Sequence, residues 1–432
     1  MNAETEKLFA YLGASTCAVA AASASEKILR EAGFTELLLK DEWEPEEGGR
    51  YFVRTTPTSL VAFTLPVVLP CVEEAPFFRM IGAHLDQPCF RVKPGDAFRD
   101  GGFYKLNVEV YGGPILNTWL DRPLSLAGSV TLRSEDPFAP KLCEVDLREP
   151  VLVIPNLAIH MNRDVNDGVE LNPQTDMLPV GALLGESDGE LLTEALCAAL
   201  GVEASEILDF DLFTYLPEAP LLAGFKKDLI SAPRLDDLIM ASAGLSALCA
   251  ANGREANGID VLALFDHEEV GSESRSGADS AMLSLVLEKL VLDLGFTRED
   301  YLRVIAGSFM ISADVAHAKH PAHPEKHDPI LGTKLGAGPV IKVSARQAYV
   351  SHSVEYSVFE SVCRKAGVPV QKFANRSDVR GGSTIGPAIT SWLPCRCVDM
   401  GIALLAMHSA RELAAEADYG FTVKAFTEYY SL

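Results

Sequence analysis

The chain has 432 residues, enough for the cores of roughly two or three domains. Hydrophobic residues make up 48% and charged residues 22%, as in ordinary globular proteins, and no apolar run reaches the ~18 residues of a membrane span. The net charge of −23 argues against a nucleic-acid partner, because binding to phosphates requires a basic face.

An amphipathic helix is predicted near the N-terminus. Residues 8–24 are mildly apolar, as in a signal peptide, but Glu4 and Glu6 precede them where a signal peptide carries positive charge. The helical pattern continues to a terminal glycine, Gly33. We therefore expect this segment to belong to the mature fold and the protein to be cytoplasmic.

Short apolar runs that end in polar residues predict strands buried on both faces. Residues 80–83 lead into His84, residues 261–265 into Asp266, and residues 309–311 into the Asp314 segment. Long helical patterns separate these runs, at residues 236–251, 278–294, 353–366 and 402–417. The pattern favours an α/β three-layer sandwich with a mostly parallel central sheet, in which sites form at the carboxyl ends of strands.

The middle of the chain has a different pattern. Residues 104–111 and 126–132 alternate between polar and apolar, and a helical pattern is evident only near residues 191–200. We predict a β-rich domain over residues 96–223, inserted between the two halves of the α/β domain, 1–95 and 224–432.

The cysteines favour a reducing compartment. Their number is nine, which is odd, and none forms a CxxC pair, so we expect free and mostly buried thiols. They are Cys17, Cys71, Cys89, Cys143, Cys197, Cys249, Cys363, Cys395 and Cys397.

Five separated segments carry side chains that can bind metals. A two-metal hydrolytic site needs about five His, Asp or Glu ligands, one of them bridging, and a base for the attacking water. Each segment alone also has an ordinary explanation, such as a core histidine, a helix cap, a turn or helix packing. The segments are His84-Leu-Asp86, Arg234-Leu-Asp236, Asp266-His-Glu-Glu269, Ser312-Ala-Asp314 and Ala406-Met-His408.

The adjacent carboxylates of Glu268 and Glu269 favour a metal site over a surface loop. Two acids directly after a buried strand repel each other, and bound cations relieve that repulsion. Adjacent acids can also divide the work, since one can bind a metal while the other faces the metal-bound water. Paired acids are nevertheless common on surface loops, so both interpretations stay open at this point.

Longer motifs around these segments occur in one order along the chain. They are residues 81–93, 108–113, 154–160, 232–236, 266–272 and 312–321, followed by 338–342, 382–387 and 406–412. Together they resemble the aspartyl aminopeptidase family of dinuclear zinc exopeptidases over essentially the whole chain. The resemblance implies a metal-dependent enzyme that removes N-terminal Asp or Glu from peptides.

The resemblance also implies a role for each residue of the metal site. One metal would be held by His84 and Asp314, the other by Glu269 and His408. Asp236 would be the ligand that bridges the two metals, and Glu268 would be the general base. Asp86 would be the carboxylate that orients His84. The expected cofactors are two divalent ions per chain, Zn²⁺ or alternatively Mn²⁺ or Co²⁺.

Substrate contacts and assembly are implied in the same way. Lys342 matches the position that meets the substrate's acidic side chain, and His317 and His320 match positions at or near the pocket. His160, in the insert, matches a histidine that reaches a neighbouring subunit's active site. The expected partners are therefore peptides with a free N-terminus and further copies of the chain, as dimers within a tetrahedral dodecamer.

This chain departs from the family pattern at several positions. Leu85 and Gln87 flank Asp86 where Thr and Ser are usual, Asp237 replaces Asn, and Gly381 replaces Cys. None of these changes removes a ligand or the base, but they bear on substrate preference. Two alternatives therefore stay open: the same chemistry with a preference for neutral N-terminal residues, and a catalytically silent homologue that acts as a scaffold or cargo-binding shell.

Overall fold

A computed structural model describes residues 2–68, 77–95, 97–185, 189–251, 258–350 and 352–432. Cys71 and the predicted domain limit at Asp96 lie outside these residues. The chain divides into two units: Met1–Asp86, Pro220–Met407 and Glu412–Leu432 form the first, and Gln87–Ala219 and His408–Arg411 form the second. The main segment of the second unit, Gln87–Ala219, thus begins and ends earlier than the predicted limits 96 and 223. The short segment His408–Arg411 also belongs to this unit.

The described residues form the α-helices given below and a short 3-10 helix at Glu268–Val270 that follows a buried strand. The α-helices are α1 Ala3–Ala14, α2 Ala18–Glu31, α3 Leu191–Leu200, α4 Leu235–Ala250, α5 Met282–Asp293, α6 Arg298–Gly307, α7 Ser353–Ala366, α8 Ile385–Trp392 and α9 Glu416–Tyr429.

The strands up to the end of the second unit's main segment are β1 Thr35–Glu36, β2 Arg50–Thr56, β3 Ser59–Thr64, β4 Phe77–His84, β5 Cys89–Val92, β6 Phe98–Asp100, β7 Phe103–Lys105, β8 Val108–Tyr111, β9 Pro123–Leu132, β10 Lys141–Asp146, β11 Leu152–Val153, β12 Val180–Leu183 and β13 Ile207–Tyr215. The later strands are β14 Leu221–Ala223, β15 Leu229–Ala232, β16 Gly258–Phe265, β17 Phe309–Ala313, β18 Ala316–His317, β19 Val340–Val343, β20 Gln371–Ala374, β21 Arg396–Gly401, β22 Ala403–Leu404 and β23 Glu412–Ala415.

The first unit is built on a mixed sheet that is mostly parallel, as predicted. Its nine strands in the described residues run in the order β1-β2-β3-β16-β4-β17-β21-β19-β20. The central pairs β16–β4, β4–β17 and β17–β21 are parallel, whereas β2–β3, β3–β16 and β21–β19 are antiparallel. The outer pairs β1–β2 and β19–β20 are parallel too.

Two separate apolar cores cover the faces of this sheet, which gives the three predicted layers. On β4, Ile81 and Ala83 pack into the core formed with α1, α2, α4, α7 and α9, while Phe78 and Met80 pack into the core formed with α5, α6 and α8. Every residue of β16 and β17 is buried. Burial on both faces explains why these strands are continuous apolar runs without alternation.

The second unit is β-rich, as predicted. Its sheet runs in the order β6-β7-β12-β11-β9-β13-β5-β8, with β10 paired to β9, and all its pairings are antiparallel. Residues such as Phe90, Leu126 and Leu212 form its own core. The helix predicted near residues 191–200 is α3.

One predicted helix, at residues 402–417, is wrong. The chain there forms β22, a loop and β23, and α9 begins only at Glu416. Ala406 and His408 have φ of 59° and 66°, left-handed conformations that an α-helix excludes. The patterns at 236–251, 278–294 and 353–366 are confirmed as α4, α5 and α7.

Two other sequence predictions bear on the environment of the chain. Every cysteine in the described residues is free, and Cys17, Cys89, Cys363 and Cys397 are buried. No helix of the described part of the chain is long and apolar enough to cross a membrane.

Candidate metal centre

Neighbouring parallel strands bring the predicted residues of the first unit to one edge of its sheet. β16 and β4 pair in register up to Phe265 and His84, and β17 pairs with β4 on its other side. Asp314 directly follows β17, and the Glu268–Val270 helix follows β16. Because these carboxyl ends meet at the same edge, groups that are far apart in sequence become neighbours.

His84 is buried at the end of β4 between two carboxylates. Its Nε2 lies 3.3 Å from Asp236 Oδ1, and its Nδ1 lies 3.3 Å from Asp86 Oδ1 and 3.0 Å from the Asp86 carbonyl oxygen. Burial opposes a charge on the ring, but these carboxylates outweigh it and raise the pKa of His84 well above its usual range.

Asp86 also fixes the turn that carries the two adjacent glutamates. Its Oδ1 accepts the Glu268 N–H and its Oδ2 accepts the Glu269 N–H, each at 3.1 Å. Both donors lie in the first turn of the 3-10 helix, where backbone N–H groups have no partner within the helix. A single buried carboxylate therefore links the histidine to the glutamate pair.

The start of α4 presents two acids to the same edge. Asp236 has non-helical φ and ψ of −78° and 108°, and its N–H donates to Glu412 Oε2 at 3.0 Å. Asp237 is fully buried, and its Oδ2 accepts the His84 N–H at 3.2 Å. The peptide bond between the two aspartates is cis. The backbone thus leaves the helical path where these side chains reach the sheet.

Lys342 is the buried cation beside the cluster. Its Nζ lies 3.1 Å from Asp314 Oδ1, and 5.4 Å from the centre of the Tyr349 ring. Burial opposes its charge, but Asp314 together with Tyr349 and Asp399 raises the pKa of Lys342 above its usual value. The ammonium therefore stays charged at neutral pH.

The donor atoms of this edge fit a divalent metal ion. Among the described residues of the first unit, two sets of possible ligand atoms each lie within 4.8 Å of one another: His84 with Asp236, Asp237 and Asp314, and His84 with Glu268 and Glu269. Nitrogen and carboxylate oxygen donors suit zinc and also Mn²⁺ or Co²⁺.

The electrostatics of the carboxylates agree with that fit. Burial, opposed by His84 and reinforced by Asp314, raises the pKa of Glu268 to about 8. Burial together with Asp236 raises the pKa of Glu269 well above its usual range, and the pKa of Asp237 is raised in the same direction, mainly by burial. So many buried acids repel one another, and a bound cation would remove that cost.

Two of the predicted residues belong to the second unit. His408 Nδ1 lies 3.0 Å from the Gly113 carbonyl oxygen, and the His408 carbonyl accepts the Ile115 N–H at 2.9 Å. With Nδ1 held by a carbonyl, Nε2 is the ring nitrogen that would bind a metal. His160 lies in a turn and is exposed, not in a core.

The two remaining predicted histidines lie after β17. His317 ends β18, and its ring is 5.7 Å from the Phe373 ring. His320 is exposed; its N–H donates to His327 Nε2 at 3.3 Å, and its Nδ1 accepts the Ala322 N–H at 3.2 Å.

Three buried acids at or near this edge were not predicted to act there: Asp237, Glu412 and Asp399. In the sequence, Asp237 stands out only as a departure from the family pattern, although it follows another acid as Glu269 follows Glu268. Glu412 ends a recognised motif, and its contact with the Asp236 N–H joins segments that are remote in sequence. Asp399 has no such signal, because it is a single acid between apolar residues of its strand, Val398 and Met400.

Comparisons with known proteins cover nearly the whole chain. A family model described as aminopeptidase I zinc metalloprotease (M18) matches residues 11–430. A Clostridium acetobutylicum protein named probable M18 family aminopeptidase 2 is 47% identical over 407 residues, which cover 94% of this chain and 93% of that protein.

Solved structures agree with this sequence similarity. A chain in the cryo-EM structure of the Ape4 and Nbr1 complex has a TM-score of 0.94 and 31% identity, and the match covers 99% of this chain and 85% of that one. The S. cerevisiae mApe1 dodecamer contains a chain with a TM-score of 0.83 and 26% identity, matched over 99% of this chain and 96% of its own length. The similarity therefore includes both units.

Proposed function

The chain belongs to the M18 family of zinc aminopeptidases, and from that premise we propose that it releases single N-terminal residues, preferably Asp or Glu, from peptides by a two-metal mechanism. The observation that carries the proposal is the buried cluster of one histidine and several carboxylates at the carboxyl edge of the central sheet. A peptidase that uses a metal-activated water requires such a set.

In this proposal His84 and Asp314 would hold one ion, Glu269 and His408 would hold the other, and Asp236 would serve both as the bridging ligand. The ions are Zn²⁺, or alternatively Mn²⁺ or Co²⁺, since these donors accept all three. Such ions would supply a lowered pKa for the attacking water and polarisation of the scissile carbonyl.

Glu268 is the proposed general base. Its carboxylate takes a proton from the attacking water and delivers it to the leaving amine. Asp86 supports this step from two sides, because it orients His84 through Nδ1 and holds the backbone of the Glu268–Val270 turn. Both contacts fix the direction of side chains that would otherwise be free to rotate.

Lys342 is the proposed partner of an acidic substrate side chain. It is buried, positively charged and adjacent to Asp314, so an incoming carboxylate would meet a desolvated ammonium close to the reacting groups. His317 and His320 are proposed to line the pocket near it. A preference for neutral residues is the alternative, and the 3.1 Å pairing of Lys342 with Asp314 keeps it open.

Self-association through the second unit is part of the proposal. Leu157, Ile159 and Met161 lie close to His160 in sequence, and their side chains are 51%, 48% and 75% exposed. Such an exposed group of apolar side chains is typical of a surface that a second copy would cover. The structural neighbour mApe1 forms a dodecamer. A dimer would bring His160 of one copy to the active site of the other, and dimers would assemble into a dodecamer.

The direct test is a panel of aminoacyl substrates assayed with the protein loaded with Zn²⁺, Mn²⁺ or Co²⁺, with metal content measured by elemental analysis. We expect two ions per chain, hydrolysis of aspartyl and glutamyl substrates, and loss of activity after chelation. Faster hydrolysis of leucyl or alanyl substrates would contradict the proposed preference for Asp and Glu but not the proposed metal-dependent hydrolysis.

A silent scaffold is the competing function. The similar Ape4 was solved in complex with Nbr1, so a member of this fold can bind another protein. The buried ligand set favours catalysis in this chain, since a pure scaffold has no need to bury so many acids. Two bound metals without hydrolysis of any substrate in the panel would favour the scaffold.

A further inference from the structure

A buried carboxylate outside the metal cluster joins two segments of the chain. Asp399 lies on β21 and is fully buried. Its Oδ1 accepts a hydrogen bond from Thr384 Oγ1 at 2.8 Å, and its Oδ2 accepts the Val350 N–H. Asp399 therefore holds the residue that precedes α8 and the segment that follows β19.

The first turn of α8 is shaped around this carboxylate. A Cβ added at Gly386 would lie 2.5 Å from Asp399 Oδ2 and 2.7 Å from Oδ1, which is closer than real Cβ contacts allow. Gly386 has no left-handed φ that would itself require glycine. Since glycine is unfavourable within a helix, its presence here is explained by the space that Asp399 occupies.

The segment that Asp399 holds through Val350 lies next to Lys342. Val350 follows Tyr349, whose ring lies 5.4 Å from Lys342 Nζ, and Lys342 contacts Asp314 on another side. Burial raises the pKa of Asp399 to about 6, so the carboxylate is still ionised at neutral pH and adds to the negative environment of the Lys342 ammonium.

We propose that Asp399 is a positioning residue of the substrate pocket, which fixes the Tyr349–Val350 segment beside Lys342 by tying it to the start of α8. This rests on the proposed function, in which Lys342 meets the N-terminal side chain of the substrate. Asp399 is not among the groups proposed to meet the substrate or to hold the metals, so its loss should affect how well the substrate is held and leave the chemical step in place.

The test is Asp399→Asn, which keeps the size of the side chain and removes its charge and one acceptor. We expect KM for the best aminoacyl substrate to rise about tenfold, with kcat within about threefold of the wild type and metal content unchanged. Should this variant unfold, Thr384→Val carries the same prediction, because it removes only the hydroxyl donor.

Gly386→Ala displaces the same carboxylate without changing its charge and should reproduce the rise in KM. Gly420→Ala in α9 is the matched control, since a Cβ there meets nothing within 4 Å. A fall in kcat at constant KM, or unchanged kinetics in the folded variants, would overturn the inference. The acidic preference is tested separately on the wild type; if that preference fails, the KM of the preferred neutral substrate decides the role of Asp399 in the same way.

Discussion

At the scale of single residues, Asp86 and Glu268 are neighbouring acids of the candidate site that differ in the hydrogen bonds they receive. Asp86 receives two backbone N–H groups and faces His84, so it is well compensated. Glu268 lacks that compensation, and its pKa is raised to about 8 in the metal-free chain. Bound cations would favour the ionised form of Glu268, which is the form that can accept a proton from water.

Glu268→Gln tests the proposed base. The change keeps the shape of the side chain and removes its basicity, so we expect metal content to survive and kcat to fall by roughly 10²–10⁴-fold. Glu273→Gln is the matched control, because Glu273 is exposed in the following loop and the charge change is identical. Near-normal turnover of the metal-loaded Glu268→Gln variant would exclude the role.

Lys342→Met tests the proposed specificity contact. Loss of a buried ammonium–carboxylate contact of roughly 1.5–3 kcal/mol should lower kcat/KM for aspartyl and glutamyl substrates by about 10- to 150-fold, and far less for leucyl ones. Lys372→Met on the neighbouring strand makes the same charge change at an exposed position. An equal loss on acidic and neutral substrates would show that Lys342 only balances Asp314.

At the scale of elements, the sequence was informative where local patterns decide the structure. The buried strands ending at His84, Phe265 and Ala313 were predictable because continuous apolar runs have few other solutions in an α/β fold. The residues around His408 were not predictable. Their left-handed φ at non-glycine positions depends on contacts with remote backbone, such as the Gly113 carbonyl, which no local pattern encodes.

The candidate site, too, could be predicted from the sequence only where local motifs decide it. Its ligand-competent residues in the first unit could be named from motifs, but their mutual contacts could not. The pairing of Lys342 with Asp314 and the contact of Asp237 with the His84 N–H join residues that are far apart in sequence. Such contacts follow from how the strands are ordered in the sheet, and that order is a property of the whole fold.

One buried acid of α9 makes the stability of the β19 region depend on pH. Asp418 is fully buried and accepts the N–H groups of Gly336 and Gly338, each at 2.7 Å, just before the strand that carries Lys342. Burial raises the pKa of Asp418 to about 6, above the ~3.9 of an unfolded chain. Its contribution to stability is therefore complete below pH ~4 and is lost as pH rises through about 6.

Asp418→Asn removes this titration. The unfolding free energy of the wild type relative to that of the variant should fall by roughly 2–3 kcal/mol from pH 4 to pH 7, measured by urea unfolding of the metal-free chain. Asp300→Asn is a control of opposite sign. Hydrogen bonds from Thr297 lower the pKa of Asp300 to about 2, so its contribution is lost as pH falls. A difference that stays constant with pH for Asp418→Asn would contradict the argument.

At the scale of the whole molecule, the net charge of −23 constrains how an acidic substrate could be recognised. Long-range electrostatics repel acidic peptides from such a surface, so the proposed preference must come from a contact at short range. A buried ammonium could make such a contact, and salt would screen the contact only poorly. The proposed assembly would face the same repulsion, so copies would have to associate through apolar surface, such as the exposed residues beside His160.

The last prediction concerns that assembly. If His160 acts in the site of a second copy, a mixed dimer of Glu268→Gln and His160→Ala chains contains one site in which both residues are intact. Mixing the two separately impaired variants, with subunit exchange verified by mass spectrometry, should therefore restore activity, up to about half that of wild-type dimers for each mixed dimer. Mixing Glu268→Gln with Asp314→Asn chains is the control; both changes lie in the first unit, so recovery there would need a site shared differently. Verified exchange without recovery in the His160→Ala mixture would place the function of His160 within its own chain.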